Sequence, residues 1–537
     1  MTKGNGEGRV LIMTPNLKGF KKGINRIQPP LGPMIAANVI RKNYGHKVFI
    51  HDCALENWGR ENKVTTDVDG TMIYGQSDEE IAETIEGYDP DVIGISALFS
   101  NLVESAHNIA KISKKVRPKV PVILGGNHVS SAISDYLYAI NPENGETNIP
   151  KKILDLEDRN IDFVMTGEVD LEFPKLVDVI INNLDIGNVS GLVARKNGNG
   201  DSSNDGLEYI ISKAPSALRS LSQAIPHPAR DLVNMNGYFD LGMFHNPKSK
   251  SKRVLSVMCS RGCPEHCTFC STPGNWGGVV RWRELDDIME EIRKGVKDYN
   301  IEEIQFEDDT ITARYKELKE LCLEMEKIGL PWCTPTGTKA NYHQLKEDGK
   351  FKTGGKQLEL YKAMAGSGCY QIVIAGESGN QHVLDNIIKK NLMVENMKPA
   401  VENAKIAGMS THTLWILGNP GETYEQIEET IRVAEEVNSD SYSIAISCPL
   451  PGTPIYRQVM KENLWWPGRG LKDCLFRNSL IKVDGFSSPE EVEKYAADAS
   501  SRLNVRLAET NPERFQEIYK IDATHQSGRE LYLPHQT

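Results

Sequence analysis

The chain has 537 residues, is 39% hydrophobic and 25% charged, and carries a formal net charge of −11, the balance of a globular protein of about two to four domains. That charge argues against bulk nucleic acid or an anionic membrane as the main partner. The first residues, MTKGNGEGRV, form no signal-type apolar run, and no apolar stretch reaches the roughly 18 residues of a membrane span, so the expected location is cytoplasmic. The ten cysteines are too sparse for a disulfide framework. Four of them, Cys259, Cys263, Cys267 and Cys270, sit close together, which points to a metal centre.

From residue 1 to about 185, apolar runs at Arg9–Thr14, Lys47–His51, Asp91–Ser96, Val120–Leu124 and Asp162–Thr166 alternate with helical patterns. Ser77 and Glu80 have the spacing of a capping box. Five strands with intervening helices predict an open, doubly wound parallel sheet of α/β class, whose ligand would bind beyond the carboxyl ends of the strands. Those ends carry small or polar residues: Ser96 running into Ala97-Leu-Phe-Ser100-Asn101, then Gly125-Gly126-Asn127-His128, then Thr166-Gly167-Glu168. Glycine there lets a backbone approach a bulky ligand, or simply makes a tight turn. No Gly-x-Gly-x-x-Gly follows the first strand, which disfavours a dinucleotide.

Residues 186–250 read as a linker containing a hairpin, Leu192–Arg195 and Leu207–Ser212 around the polar loop Gly198–Gly206, followed by the extended Ile225-Pro-His-Pro-Ala229. From 251 to 455, strands at Val254–Met258, Glu303–Glu307, Trp332–Thr336, Tyr370–Ala375, Thr413–Leu417 and Ser443–Ser447, separated by helical stretches such as Lys316–Ile328 and Val394–Ala407, predict a (β/α)6 partial barrel with its site at the strands' carboxyl ends. Lys346–Lys356 reads as an exposed loop. Residues 456–537 read as a helical extension containing Pro489–Ala508. Trp465-Trp466 reads as packing or as a lid, and the stretch after about Ala523 as poorly structured.

Cys263-x3-Cys267-x2-Cys270, on the loop leaving the first barrel strand, is the most specific feature. Three thiolates can hold three irons of a four-iron cluster and leave the fourth iron without a cysteine from this loop. A structural zinc site, with His266 or Cys259 as fourth ligand, would instead draw on two separated ligand pairs. Asp308-Asp309 at the end of the second barrel strand can hold a cationic group or cap the next helix. Arg281 and Arg283 can meet an anionic substrate, or form a solvated helix entry.

This loop resembles the signature of the radical S-adenosylmethionine (SAM) family. The resemblance implies that Cys263, Cys267 and Cys270 ligate a [4Fe-4S] cluster whose open iron takes SAM. It places Phe269 near the adenine, Glu377 of Gly376-Glu377-Ser378 at the ribose, Gly418 of the Gly418-Asn-Pro-Gly421 loop on the adenine, and Asp308 and Ser378 among the other SAM contacts. The first segment resembles the cobalamin-binding domain of the same enzymes through Pro29-Pro-Leu-Gly32, Gly45-His46, Gly125-Gly126 and Gly167-Glu168. It implies cobalamin contacts at Ser96, Ser100, Asn101, Gly125, Gly126, His128, Gly167 and Glu168. The Asp-x-His-x-x-Gly motif that gives cobalt a histidine is absent.

The resemblance implies a methyltransferase that moves a methyl group from SAM through methylcobalamin to an unactivated carbon or phosphorus of a small molecule, fed by a flavodoxin- or ferredoxin-type donor. Trp332–Thr338 and Glu307–Thr310 look like those of phosphonate methylases. The alternatives are a cobalamin-assisted cyclase or rearrangement enzyme and a non-catalytic cobalamin or iron–sulfur sensor. A methylthiotransferase is disfavoured, because the front segment has only Cys53.

Overall fold

In this computed structural model, residues 7–19, 26–58, 65–66, 72–145, 148–196, 208–510 and 512 are described. The loop Gly198–Gly206 and the residues after Ala523 lie outside them. Two parallel sheets organise the chain. The first contains β1 (Arg9–Thr14), β2 (Lys47–Asp52), β3 (Val92–Ser96), β4 (Val122–Gly125) and β5 (Phe163–Met165), with the hairpin β6 (Leu192–Arg195) and β7 (Tyr209–Ile211) added antiparallel at one edge. The five parallel strands run in the order 2-1-3-4-5, the flavodoxin-like doubly wound arrangement. Helices α1 (Leu31–Tyr44), α2 (Asp78–Tyr88), α3 (Val103–Val116), α4 (Asn127–Ile140) and α5 (Glu172–Ile181) connect them. The near-continuous apolar runs follow from burial on both faces: Leu11, Ile93 and Leu124 join one core, and Val10, Ile12 and Ile123 the other. The capping box of α2 forms, with the Ser77 hydroxyl accepting from the Glu80 N–H and Glu80 accepting from the Ser77 N–H.

The second sheet holds six parallel strands in simple chain order: β8 (Val254–Val257), β9 (Glu303–Phe306), β10 (Trp332–Lys339), β11 (Cys369–Glu377), β12 (Ser410–Leu417) and β13 (Ser441–Ile446). Helices α6 (Leu285–Tyr299), α7 (Tyr315–Ile328), α8 (Gly355–Gly366), α9 (Met397–Ile406) and α10 (Tyr424–Val437) cover its outer face. Ile304, Phe306, Trp332, Ile372 and Trp415 pack with Leu321 of α7 and Met364 of α8 in that core. Beyond the last strand come α11 (Pro454–Glu462) and α12 (Pro489–Thr510). Trp465 packs in the core beside Cys448 and Ile455, and Trp466 donates to Ser479, so the aromatic pair packs rather than forming a lid.

The Lys346–Lys356 stretch is not a loop. Leu345–Glu347 and Lys350–Lys352 pair antiparallel. Asp348 and Gly349 between them both have positive φ (50° and 77°), the two-residue turn that Asp-Gly favours.

A polar segment closes the barrel from its amino-terminal side. The Asn246 N–H donates to Gln305 at 3.1 Å and its side-chain amide to the Tyr370 hydroxyl at 2.8 Å. Gln305 donates to Ser249 at 2.7 Å, and Lys248 donates to Ser441. Burial pushes Lys248 down to about 7. Because side chains alternate along a strand, Glu303, Gln305 and Glu307 share the lumen side of β9, opposite Ile304 and Phe306.

In the first domain, His107 of α3 lies 3.0 Å from Asp155 and 2.9 Å from Asp158. Burial opposes its charge, but the two carboxylates outweigh it and push His107 up to about 9. A pKa raised on folding stabilises fully below the unfolded value, about 6.5, and that stabilisation is lost as pH rises through the folded value. The unfolding free energy of the first domain is therefore expected to fall by roughly 2–3 kcal/mol between about pH 6.5 and 9, read as a falling urea midpoint, with His107→Gln flattening the slope. A wild-type midpoint independent of pH over that range would contradict it.

Candidate functional site

The carboxyl ends of β3, β4 and β5 form one rim of small and apolar groups. Ser96 pairs with Gly125 in the ladder. Gly126 has φ 118°, and a Cβ there would stand 2.3 Å from the Ala97 carbonyl oxygen, so only glycine fits. The Gly167 N–H donates to Ser130 at 2.9 Å. Leu98 and Phe99, on the loop leaving β3, are 50% and 51% exposed, a paired apolar surface beside bare glycine backbone. That combination suits a broad macrocycle better than a phosphate, and it fits a corrin ring. Single-residue motif reading passed over Leu98 and Phe99; two adjacent large apolar residues in a strand-end loop were the available signal.

Some residues expected on this rim are used internally. Ser100 and His128 are buried and share a 2.9 Å hydrogen bond through His128 Nδ1; burial lowers the pKa of His128. Glu168, expected against cobalamin, is taken by arginines. Its Oε1 accepts from Arg261 at 2.8 Å, and its Oε2 from Arg281 at 2.7 Å and from the Leu218 N–H at 3.1 Å. Asn101 sits half-buried on the turn after Ser100.

The three cysteines lie on the loop between two short paired strands, Ser260–Arg261 and Arg281–Trp282. Gly262 has φ 100° and packs where a Cβ would stand 2.3 Å from the Val279 carbonyl oxygen. The Thr268 N–H and hydroxyl donate to the carbonyls of Ile388 and Ile387 at 2.9 and 2.7 Å. These contacts seat the loop on the π-helical turn Val383–Ile388. Burial pushes Cys263 up to about 11 and Cys267 to about 12, and Cys267 feels the charges of both Cys270 and Cys263. Binding iron to these thiols would release their protons. Among the described residues, no three His, Cys, Asp or Glu side chains gather closely enough to share one ion. A cluster does not require that, since each thiolate holds a different iron. Cys259 is fully buried in the barrel core.

The acidic pair after β9 braces the loop. Asp308 accepts from the Cys259 N–H at 3.1 Å and from the Ser260 hydroxyl at 2.5 Å, and burial pushes it up to about 7. Asp309 accepts from the Gly262 N–H at 3.0 Å and from Thr272 at 3.2 Å, one residue before and two residues after the cysteine triad. Both oxygens of Asp308, expected among the SAM contacts, accept hydrogen bonds beneath the loop. Ser378 is likewise fully buried, sharing a 3.0 Å hydrogen bond with Thr430 and accepting from the Asn380 N–H.

Glu377 adopts φ 66° and holds Lys390 through Oε1 at 2.6 Å. Burial opposes the charge of Lys390, but Glu377 outweighs it and raises its pKa, so a buried ion pair stands at the end of β11. Phe269 packs against Cys448, Ile455 and Cys474. Gly418 has φ 76° and opens a loop in which Glu422 accepts from the Asn419 N–H at 2.9 Å. Asn419 Oδ1, Glu422 Oε1, Ser447 Oγ, Glu307 Oε1 and Thr310 Oγ1 are buried polar atoms without a partner, all at the carboxyl ends of β9, β12 and β13. Such atoms are costly unless a polar ligand meets them, and a nucleoside-linked amino acid fits that need. Arg283 is no solvated helix entry: it binds Asp287 at 2.8 Å and Glu291 at 2.6 Å. His245, which sequence reasoning missed, holds Glu307 Oε2 at 2.7 Å through Nδ1 above the polar closure. Its sequence neighbours carry no motif.

The loop from the first domain and the cysteine loop of the second are joined by ion pairs. Besides Glu168, Asp170 receives Arg261 in a fork at 2.7 and 2.9 Å. The guanidinium also stacks 4.6 Å from the Trp276 ring. Removing one partner of such a buried pair costs about 3–5 kcal/mol.

Comparison with known proteins places this geometry. Residues 257–434 match the Radical SAM superfamily model and residues 24–143 the B12 binding domain model. The chain is 30% identical over 515 residues to cytidylyl-2-hydroxyethylphosphonate methyltransferase of Streptomyces wedmorensis, covering 93% of this chain and 90% of that protein. The structure of the cobalamin-dependent SAM radical enzyme OxsB with aqua-cobalamin and SAM bound superposes with a TM-score of 0.63 at 14% identity, over 96% of this chain and 70% of that one. The methyltransferase TsrM of Kitasatospora setae, with cobalamin and a [4Fe-4S] cluster, superposes with a TM-score of 0.60 at 14% identity, over 85% and 78%. Cys263→Ala, Cys267→Ala and Cys270→Ala are each expected to cut reconstituted iron from about four per chain to near zero, while Cys259→Ala keeps it. Iron and sulfide analysis decides, and retention of full iron by any of the three triad variants would overturn the ligand set.

Proposed function

The chain belongs to the cobalamin-dependent radical SAM methyltransferases, and on that premise we propose that its substrate is a small phosphonate, methylated on an unactivated carbon or on phosphorus. The observation that carries this reading is the 30% identity to a phosphonate methyltransferase along nearly the whole of both chains. In this family the cluster and SAM supply a carbon-centred radical, and cobalamin supplies the methyl group.

The chain's own residues bind, orient and shield. Cys263, Cys267 and Cys270 hold the cluster, and Thr268 fixes their loop against Ile387 and Ile388. Phe269 and the Gly418-Asn419 turn take the adenine end of SAM, with the unpartnered Asn419 and Ser447 oxygens accepting its donors. Glu377 offers the ribose the oxygen that Lys390 leaves. Ser96, Asn101, Gly125, Gly126 and Gly167 give the corrin a bare floor, and Leu98 and Phe99 meet its apolar face. The substrate enters the lumen above His245, whose imidazole, oriented by Glu307, donates to or receives a proton from an oxygen of the phosphonate or its neighbouring carbon. Arg281 and Arg283 are engaged in ion pairs and have no part in that contact. No helix among the described residues is long and apolar enough to cross a membrane. We place the enzyme in the cytoplasm, fed by a low-potential donor of flavodoxin or ferredoxin type.

The test is anaerobic. Protein reconstituted with iron, sulfide and hydroxocobalamin is incubated with a chemical reductant, trideuteromethyl-SAM and either cytidylyl-2-hydroxyethylphosphonate or free 2-hydroxyethylphosphonate. The expected product carries one trideuteromethyl group in place of a hydrogen, alongside 5′-deoxyadenosine. 5′-Deoxyadenosine without methylation of either phosphonate would overturn the substrate class, and a product rearranged without added methyl would favour a cyclase.

A further inference from the structure

The cysteine loop is gripped by the first domain at both of its ends. Two residues before Cys263, Arg261 is forked on Asp170 and bonded to Glu168, and both acids lie on the loop that leaves β5. Immediately after Cys270, the Ser271 hydroxyl receives the side-chain amide of Asn127 at 3.1 Å, and Asn275 reaches the same Asn127. Asn127 opens α4 directly after Gly125-Gly126. Arg281, on the strand paired with Arg261, closes the first grip by bonding Glu168 and the carbonyls of Leu218 and Trp276.

The four charged side chains of the first grip balance two against two, with 3% to 9% of each exposed. A buried guanidinium in a carboxylate fork has one low-energy geometry, unlike a screened surface pair. The loops doing the gripping are the same strand-end loops whose glycines form the rim described above. Gly126 and Gly262 have positive φ and backbone oxygens 2.3 Å from where a Cβ would be, leaving each loop little room to shift relative to its neighbours.

We infer that Arg261 and Asn127 are positioning residues: through them the strand-end loops that carry cobalamin hold the cluster loop directly, and this double grip sets the distance from cobalt to cluster. This rests on the cofactor placement proposed above. The distance is readable without substrate. In protein loaded with both cofactors and reduced to cob(II)alamin and the one-electron-reduced cluster, the two unpaired spins interact, and pulsed dipolar EPR reports their separation.

Wild type is expected to give one narrow distance. Arg261→Gln, Asp170→Asn and Asn127→Ala are each expected to broaden or shift it with cobalt and iron content kept. Arg41→Gln, which removes an exposed contact between α1 and Asp231 of the connector, is expected to leave it unchanged. Should Arg261→Gln fail to fold, Asn127→Ala reads the other grip. Unchanged narrow distances in loaded Arg261→Gln, Asp170→Asn and Asn127→Ala overturn the inference alone. Wild-type protein that takes up iron but no cobalt overturns the cofactor placement and the inference with it.

Discussion

A guanidinium buried between two domains is the interaction on which the rest of this structure depends. Arg261 stands two residues ahead of the first cysteine of the triad, yet its partners Glu168 and Asp170 come from the other sheet's strand-end loop, more than 90 residues earlier. Two open sheets, each with its ligand side at the carboxyl ends of its strands, are useful to one another only when those ends face. Apolar contact could bring the domains together in many orientations. A forked, desolvated ion pair tolerates few, so it converts association into registration. The second contact set, Asp135 of α4 with Arg457 of α11 at 2.9 Å, pins the loop after β13 to the same domain.

Charge placement around the cysteines follows from burial. Thiols pushed up to about 11 and 12 are neutral until metal binds, so the loop is tolerable before assembly. Lys390 beside them is paired with Glu377 rather than left as an isolated charge. Asp308, up to about 7, is offset by donors from Cys259 and Ser260. The thiols' charge thus arrives with the metal they bind.

Much of this was legible in the sequence because the signals were local. Apolar runs of strand length bounded by glycines marked the strands of both sheets, and the cysteine spacing marked the loop leaving the first barrel strand. The start of α2 followed its capping box at Ser77. What escaped depends on distant partners. Nothing near Glu168 distinguishes a ligand contact from an ion-pair hub, because its partner Arg281 lies 113 residues away. Arg283 looked like a solvated helix entry although its partners Asp287 and Glu291 are close in sequence, because spacing alone does not show that this helix face is buried. Asp308 and Ser378 sit at strand ends but their side chains are turned into the fold, where Ser260 and Thr430 meet them, and a one-residue change in a strand's end is enough to conceal which face a side chain takes. The hairpin at Asp348-Gly349 was a local signal passed over among lysines and glycines.

The polar closure of the barrel has a consequence for traffic. With Asn246, Lys248 and Ser249 bonded across the amino-terminal side, the lumen is a cul-de-sac. Whatever enters must leave by the mouth it came through, and that mouth is bordered by the other domain. Large ligands must therefore be seated in order, deepest first, and the last to arrive is the first that can depart.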